Sequence, residues 1–308
     1  MDRSCFPYFS YFSYTEEDLR RMPRRAQESH KGTFGRVLCV CGSVGMCGAA
    51  YFAAKAAYRT GAGLVRVLTV RENLPMLQTM LPEAIVSVYD AQAPERAVIE
   101  DAVAWADVLV IGCGLSCSAA SRSLLSDLLR LREEKPTVLD ADALNLLARN
   151  PSLLKYAKGA ILTPHMGEMS RLSGRTVEEL SGMPERYAWE LAQKCDAVCL
   201  LKGHRTVISD GSERIYRNQC GNSGMATGGS GDVLAGILGG ILAQARNGSL
   251  DRFSVACLGV LIHGLCGDLA AKKKSEYSVM ASDLIDALPR VLLWAEGAVE
   301  GDLTGENP

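Results

Sequence analysis

Val37-Leu38-Cys39-Val40 is a short apolar run with Gly35 before it and Gly42 after it. Such a run reads as a buried strand. The turn Gly42-Ser43-Val44-Gly45-Met46-Cys47-Gly48 follows, and the alanine-rich Ala49–Thr60 reads as a closely packed helix. Gly61-Ala62-Gly63 ends that helix, and Leu64–Val70 reads as the next strand. Parallel strands cannot be joined by a tight hairpin and need a crossover, usually helical. A strand–turn–helix–strand unit therefore commits the chain to a parallel sheet covered on both faces.

The rhythm recurs. Ala84–Val88, Asp107–Ile111, Thr137–Asp140, Ala160–Thr163 and Ala197–Leu201 read as strands. Pro94–Ala106, Ala119–Arg132, Ala143–Ala148 and Thr176–Lys194, the last interrupted near Pro184, read as helices. Then the pattern changes. Thr206–Ser209 and Arg214–Tyr216 flank Asp210-Gly211, a hairpin signal. Helices over Asp232–Ala245, Ser254–Lys273 and Ser282–Glu296 close the chain. No linker, composition shift or internal repeat interrupts it. We read one α/β domain over residues 31–296, a mostly parallel central sheet with helices on both faces. An aromatic arm precedes it and a flexible acidic tail, 297–308, follows. The arm carries Phe6, Tyr8, Phe9, Tyr11, Phe12 and Tyr14 without the layout of a signal peptide. It is either an arm packed on the body or on a partner subunit, or a disordered leader.

At 308 residues, 48% hydrophobic and 22% charged, the chain suits a well-packed α/β protein. A net charge of −2 gives no global pull toward nucleic acid or an anionic membrane. No uninterrupted apolar run reaches the roughly 18–20 residues of a membrane span. The eleven cysteines are odd in number, and their spacing suits neither a disulfide framework nor, with four scattered histidines, a zinc site. Reduced buried thiols and a cytoplasmic setting are expected.

The chemistry concentrates in Gly221-Asn222-Ser223-Gly224-Met225-Ala226-Thr227-Gly228-Gly229-Ser230-Gly231-Asp232, which runs without a break into an apolar helix. A glycine-rich loop lets the backbone approach a ligand closely, and the helix start presents unpaired N–H groups. Together they make an anion site, typically for phosphate. Two rival phosphate motifs fail. Gly112-Cys113-Gly114 follows a strand, but Cys117 stands where the third glycine of a dinucleotide fingerprint belongs. The chain has no Gly-Lys dipeptide, which excludes a P-loop.

Ligands of open α/β sheets sit outside the carboxyl ends of the strands. There the chain places Gly42–Gly48, Gly112–Gly114, Asp140-Ala141-Asp142, Thr163–Glu168, Lys202–Arg205 and the glycine loop. Asp232 is either a helix N-cap or a general base that takes a hydroxyl proton while loop N–H groups and Mg²⁺ absorb phosphoryl charge. Glu168 is either an exposed first-turn residue or a carboxylate acting on Mg²⁺ through water. His165 follows Thr163-Pro164 and reads as a substrate contact. Lys202-Gly203-His204-Arg205 is either a solvated turn or a set of nucleotide contacts. His30 and His263 lack a polar cluster and receive no role. Lys272-Lys273-Lys274 reads as a solvated helix end.

The chain resembles the ADP/ATP-dependent NAD(P)H-hydrate dehydratases, a branch of the ribokinase-like superfamily. Lys31-Gly32-x-x-Gly35-Arg36-Val37-Leu38, Gly48-Ala49 with the helix to Gly63, Asp140-Ala141-Asp142-Ala143-Leu144 and Thr163-Pro164-His165-x-Gly167-Glu168 carry the likeness. So do Leu201-Lys202-Gly203, the glycine loop and His263-Gly264-x-x-Gly267-Asp268. The resemblance implies restoration of hydrated NADH or NADPH: phosphorylation of a C6 hydroxyl from ADP or ATP, then loss of phosphate. It implies hydrate contacts at Ala49, Gly114, His165 and Asp232, with Asp232 as base. It implies adenine-nucleotide contacts at Lys202, Gly203, His204, Arg205, Thr206 and Gly231. It also implies Mg²⁺ at Glu168 and a homotetramer. Ser116 and Ser230 stand where the family usually has Gly and Thr. The Gly-Asn-x-Gly-Met-Ala-Thr form of the loop resembles the ADP-using bacterial branch. The epimerase often fused in that branch is expected on a separate chain. Two alternatives stay open: a small-molecule kinase of the same superfamily, and a non-catalytic adenine-nucleotide-binding protein.

Overall fold

The computed structural model describes residues 8–297. Its centre is β2 (Arg36–Val40), flanked by parallel β3 (Leu64–Val70) and β5 (Val108–Ile111). Beyond β3 lies β4 (Ile85–Tyr89). Beyond β5 come β6 (Thr137–Leu139), β7 (Ile161–Leu162) and β8 (Val198–Leu201), all parallel. The antiparallel hairpin β9 (Val207–Ser209) and β10 (Arg214–Arg217) extends this side. The edge is β1 (Ser10–Phe12), parallel to β10.

The helices in chain order are α1 (Cys47–Arg59), α2 (Leu74–Met80), α3 (Arg96–Trp105), α4 (Ala119–Leu131), α5 (Asp142–Arg149) and α6 (Met166–Ser173). Then come α7 (Val177–Gly182), α8 (Pro184–Cys195), α9 (Ser230–Gln244), α10 (Arg252–Lys274) and α11 (Ala281–Ala295). Strand alternation divides them into two layers, because successive side chains face opposite ways. Val37, Cys39, Val108 and Val110 share one core with α1, α9, α10 and α11. Leu38, Val40, Leu109 and Ile111 share the other with α3, α4, α5 and α8.

Strand order 8-7-6-5-2-3-4 has a reversal at β2/β5. The chain leaves β2 toward one edge and returns on its other side at β5, so the loops after these strands diverge and open a crevice. Above it, α1 and α9 pack closely because both are small-residue helices. A Cβ built at Gly236 would lie 2.2 Å from the Ala53 carbonyl oxygen.

Three features add to or depart from the sequence reading, the first by deciding between its two readings of the aromatic arm. The aromatic segment supplies a strand of the sheet, and Leu19 just after it is fully buried, so its described part packs on the body. Phe6 and residues 298–308 lie outside the described residues. Second, α2 was not anticipated. Third, α10 is long and apolar enough to cross a membrane by composition. Its best window has mean hydropathy 1.7, but 78% of that window is buried in the core. Its isolated polar residues hid the run. All cysteines among the described residues are free, as expected, and most are buried.

Candidate active site

Strand ends and the glycine loop surround a cavity of about 820 Å³. At its floor lies Asp140, the residue just after β6, which is 1% exposed. Its Oδ1 accepts from Thr163 Oγ1 at 2.7 Å and from Lys202 Nζ at 2.6 Å. Lys202 is brought there by sheet geometry: its N–H donates to the Pro164 carbonyl at 2.8 Å, continuing the β7–β8 pairing past the strand ends. Burial pulls the Lys202 ammonium down, but Asp140 and Glu168 outweigh it, so it stays charged.

His165 and Glu168 form a reciprocal cap at the start of α6. His165 Nδ1 accepts from the Gly167 and Glu168 N–H groups at 3.0 and 3.4 Å. Glu168 Oε2 accepts from the His165 N–H at 2.9 Å. This is the capping-box pattern with His as the cap. Glu168 is 4% exposed, so the exposed first-turn reading fails. Burial raises its carboxyl to about 7. Burial, with Lys202 and Arg171 nearby, pushes His165 below its ordinary value. Neutral His165 then keeps its bare Nδ1 on the backbone and leaves Nε2 toward the cavity, 3.4 Å from Glu168 Oε1.

The glycine loop rests on α10. The Gly221 N–H and the Asn222 side-chain amide both donate to Asp268, at 2.8 and 2.9 Å. A Cβ at Gly267 would come within 2.2 Å of Met225 Sδ, so glycine there makes the groove for the loop. The loop ends at Gly229, with φ +90°, and α9 starts at Ser230. Its N-cap is glycine, and Asp232 lies inside the first turn. The helix-cap reading of Asp232 therefore fails. Its carboxylate faces Asp140 and Cys113: the Cys113 Sγ and one oxygen of each carboxylate lie within 4.8 Å of one another. Burial, then the Asp140 charge, lifts Asp232 to about 6. A Cβ on Gly231 would lie 3.4 Å from Lys202 Nζ, so the bare helix N-terminus sits directly over the ammonium.

His165, Glu168, Lys202, Gly203, His204, Thr206, Gly231 and Asp232 all line this cavity. Arg205, Ala49 and Gly114 do not. Ala49 and Gly114 meet at the β2/β5 crevice instead: a Cβ on Gly114 would touch that of Ala49 at 2.8 Å. Thr206 is buried and its Oγ1 is 3.4 Å from the Gly203 carbonyl. Ser116, at the family's glycine position, has φ 68°, the left-handed region that favours glycine. Its N–H donates to Asp142 at 2.7 Å and its Oγ lies 2.9 Å from that of Ser121.

Three participants were missed. His263, given no role, is half-buried beneath the loop. Its Nε2 donates to the Ser230 carbonyl at 2.9 Å, and burial drops its pKa to about 4, so it holds the start of α9 as a neutral ring. Cys113 sits between the two aspartates. Ala141 lines the cavity with φ 48° and ψ −117°, a strained conformation for a residue with a Cβ.

The NAD(P)H-hydrate dehydratase family matches residues 37–290, from within β2 to within α11. The chain belongs to this family. Its relatives include the bifunctional NAD(P)H-hydrate repair enzyme of Moorella thermoacetica, 42% identical over 288 residues, 91% of this chain and 53% of that one. The ADP-dependent (S)-NAD(P)H-hydrate dehydratase of Neisseria meningitidis is 39% identical over 249 residues, 80% of each chain. The chain spans about half the length of the bifunctional relatives, 53% in the Moorella case. Among solved structures, the ADP/ATP-dependent NAD(P)H-hydrate dehydratase of Bacillus subtilis, co-crystallised with ATP and Mg²⁺, superposes with TM-score 0.78 at 32% identity. It covers 92% of this chain and 98% of that one. A ribokinase-like superfamily protein of Enterococcus faecalis superposes with TM-score 0.82 at 30% identity, covering 96% and 99%. The fold is ribokinase-like, as expected.

Proposed function

We propose that this chain is an ADP-dependent (S)-NAD(P)H-hydrate dehydratase. The observation that carries the proposal is Asp232: a carboxylate with pKa about 6, in the first turn of a helix whose glycine N-terminus overlies Lys202. A base needs a pKa near working pH and a place within reach of the proton it takes. Phosphoryl transfer also needs cations and N–H dipoles where charge develops. This site puts both at one point.

Asp232 takes the C6 hydroxyl proton of the hydrate as the oxygen bonds to the terminal phosphorus of ADP, and the bond to the leaving AMP oxygen breaks. The C6–O bond then breaks with the ring nitrogen's electron pair, releasing phosphate. Transfer of a proton from C5 to water then restores the ring double bond. His165 contacts the hydrate through Nε2. Ala49 and Gly114 line the crevice where the ring enters. Lys202, Gly203, His204 and Thr206 meet the nucleotide, with Lys202 against its phosphates. Arg205 is the weakest of the nucleotide assignments because it lies off the cavity lining.

The donor set fits Mg²⁺. Asp140, Glu168 and Asp232 offer three carboxylates to one ammonium, and a hard cation prefers such oxygen ligands. Glu168 holds the ion in our reading, through water. When bound, Mg²⁺ neutralises charge on the phosphates. We also assign the enzyme a homotetrameric state, the expectation its family carries.

Purified protein with ADP, Mg²⁺ and hydrated NADH should regenerate the absorbance of NADH. ATP in place of ADP should be slower. No rise with either nucleotide overturns the proposal. A stable phosphoalcohol as the released product would point to a small-molecule kinase instead.

A further inference from the structure

A second cavity, of about 700 Å³, lies at the far end of α9. Asp232 is in the first turn of that helix and Gln244, which lines the second cavity, is its last residue. The twelve intervening steps span roughly 18 Å at 1.5 Å per residue. The helix α1 makes the same journey, from Ala49 near the crevice to Arg59 at this cavity.

The walls are strongly cationic. Arg20, Arg24, Arg25 and Arg59 line the space, and among the described residues Glu296 is the only carboxylate on it. Two of the arginines are engaged. Arg20 pairs with Glu17 at 3.2 Å and lies over the Trp294 ring. Arg25 lies over Phe34 and donates to the Gly61 carbonyl at 2.8 Å. Burial pulls the Arg25 guanidinium below its ordinary value, with Glu296 opposing. Arg24 and Arg59 make no ion pair or hydrogen bond among the described residues.

Helix ends explain part of this. α1, α9 and α11 all finish here, and cations are favoured by helix C-termini. That accounts for Arg59, which closes α1, and for Arg25 on the Gly61 carbonyl. It does not account for three arginines delivered by one non-α segment, residues 20–25, into the same concavity. Like charges so placed repel one another. An anion would reverse its sign. Guanidinium forks match phosphate oxygens in pairs, and the volume is that of a small-molecule site.

We propose that this cavity binds a phosphorylated small molecule carrying at least two negative charges, up to the size of a nucleoside diphosphate. The proposal does not rest on the assignment of the main cavity.

Calorimetric titration of the full chain with inorganic pyrophosphate tests it. Arg24→Ala/Arg59→Ala should bind at least roughly thirtyfold more weakly, since two charge-assisted contacts are lost. Both side chains are exposed, so the variant should keep its melting temperature and its turnover of hydrated NADH. Lys202→Met should leave this binding event intact while removing any event at the main cavity. Binding should weaken as salt rises. Affinity unchanged within twofold in the double arginine variant overturns the proposal. So does absence of binding at millimolar pyrophosphate. So, too, does binding seen only in a chain ending at Gly297, since the acids Glu300, Asp302 and Glu306 would then be the occupant.

Discussion

Asp232→Asn should inactivate the enzyme and stabilise the fold. The carboxyl is lifted from 3.8 to about 6 by burial and by Asp140. Each unit is about 1.4 kcal/mol, so the ionised group costs the native state about 3 kcal/mol relative to the unfolded chain. The sign follows from the direction of the shift. A carboxyl raised on folding contributes stability below its unfolded pKa and loses that contribution as pH rises through its folded value. The wild type therefore gives up stability between pH of about 4 and 6, then runs level. The amide has no such loss. Its advantage should be near zero at pH 4, grow through pH 5, and reach about 3 kcal/mol above pH 6.5. In a domain of this size that is a rise in Tm of roughly 5–10 °C. Thermal unfolding of both proteins at pH 4, 5, 6.5 and 8 reads it directly. At pH 8 the same variant should lose about two to four orders of magnitude in kcat, the typical scale for a lost general base. A variant no more stable than wild type at pH 8 would refute the energetic reasoning. So would a gain that is the same at pH 4 and pH 8. Near-normal turnover would remove Asp232 from the mechanism.

The pH dependence of kcat/KM should show an acid limb between about 6 and 7. Asp232 and Glu168 both face Asp140, so the apparent values belong to the group rather than to either residue; full activity at pH 5 would exclude the ionised base. Lys202→Met should move that limb to higher pH, because Lys202 lowers both carboxyls. It should also cost about 3–5 kcal/mol in urea unfolding, as Asp140 is left buried without its partner; an unmoved limb would show that Lys202 does not hold these charges. Gly236→Ala places a Cβ 2.2 Å from the Ala53 carbonyl oxygen and 2.8 Å from the Ala56 Cβ. It should destabilise by about 1–3 kcal/mol and lower kcat, since α9 carries Asp232; wild-type stability and rate would show that α1 and α9 can part freely.

Much of this architecture is legible in one dimension. The strands of the parallel sheet are short apolar runs, several of them next to glycine, and their starts were readable to within about two residues. The carboxyl-edge clusters converge because parallel strands must all end on the same side. What stayed hidden depends on pairing across the sheet. Asp140 and Lys202 are 62 residues apart and meet only because β6, β7 and β8 are neighbours. His263, in α10, was given no role because no polar cluster surrounds it in the sequence. Its partner is the first turn of α9, 33 residues earlier. The one available signal was its place in His263-Gly264-x-x-Gly267-Asp268, whose glycines and aspartate all seat the loop. The start of α9 was expected at Asp232. It begins at Ser230, because Gly229 takes a left-handed φ that ends the loop early. That two-residue shift moves Asp232 from the cap into the first turn and so removes the helix-cap reading.

The energetics of the site locate it independently of any motif. Burial and the Asp140 charge hold Glu168 and Asp232 well above their ordinary values, and the one ammonium, Lys202, only partly offsets them. Ala141 adds a strained backbone of about 1–3 kcal/mol on the same wall. None of these features helps the chain fold, and each persists because rigid neighbours impose it: β6 under Asp140, the α6 cap on Glu168, His263 on α9. A fold selected for stability alone would neutralise or expose such groups. Their concentration around the bare N-terminus of α9 is what a phosphate-bearing ligand would relieve. Its charge would meet the helix end and Lys202, and a divalent cation accompanying it would offset the carboxylates. The cavity is therefore least stable empty, and ligand binding should raise Tm most at alkaline pH, where both raised carboxyls are ionised.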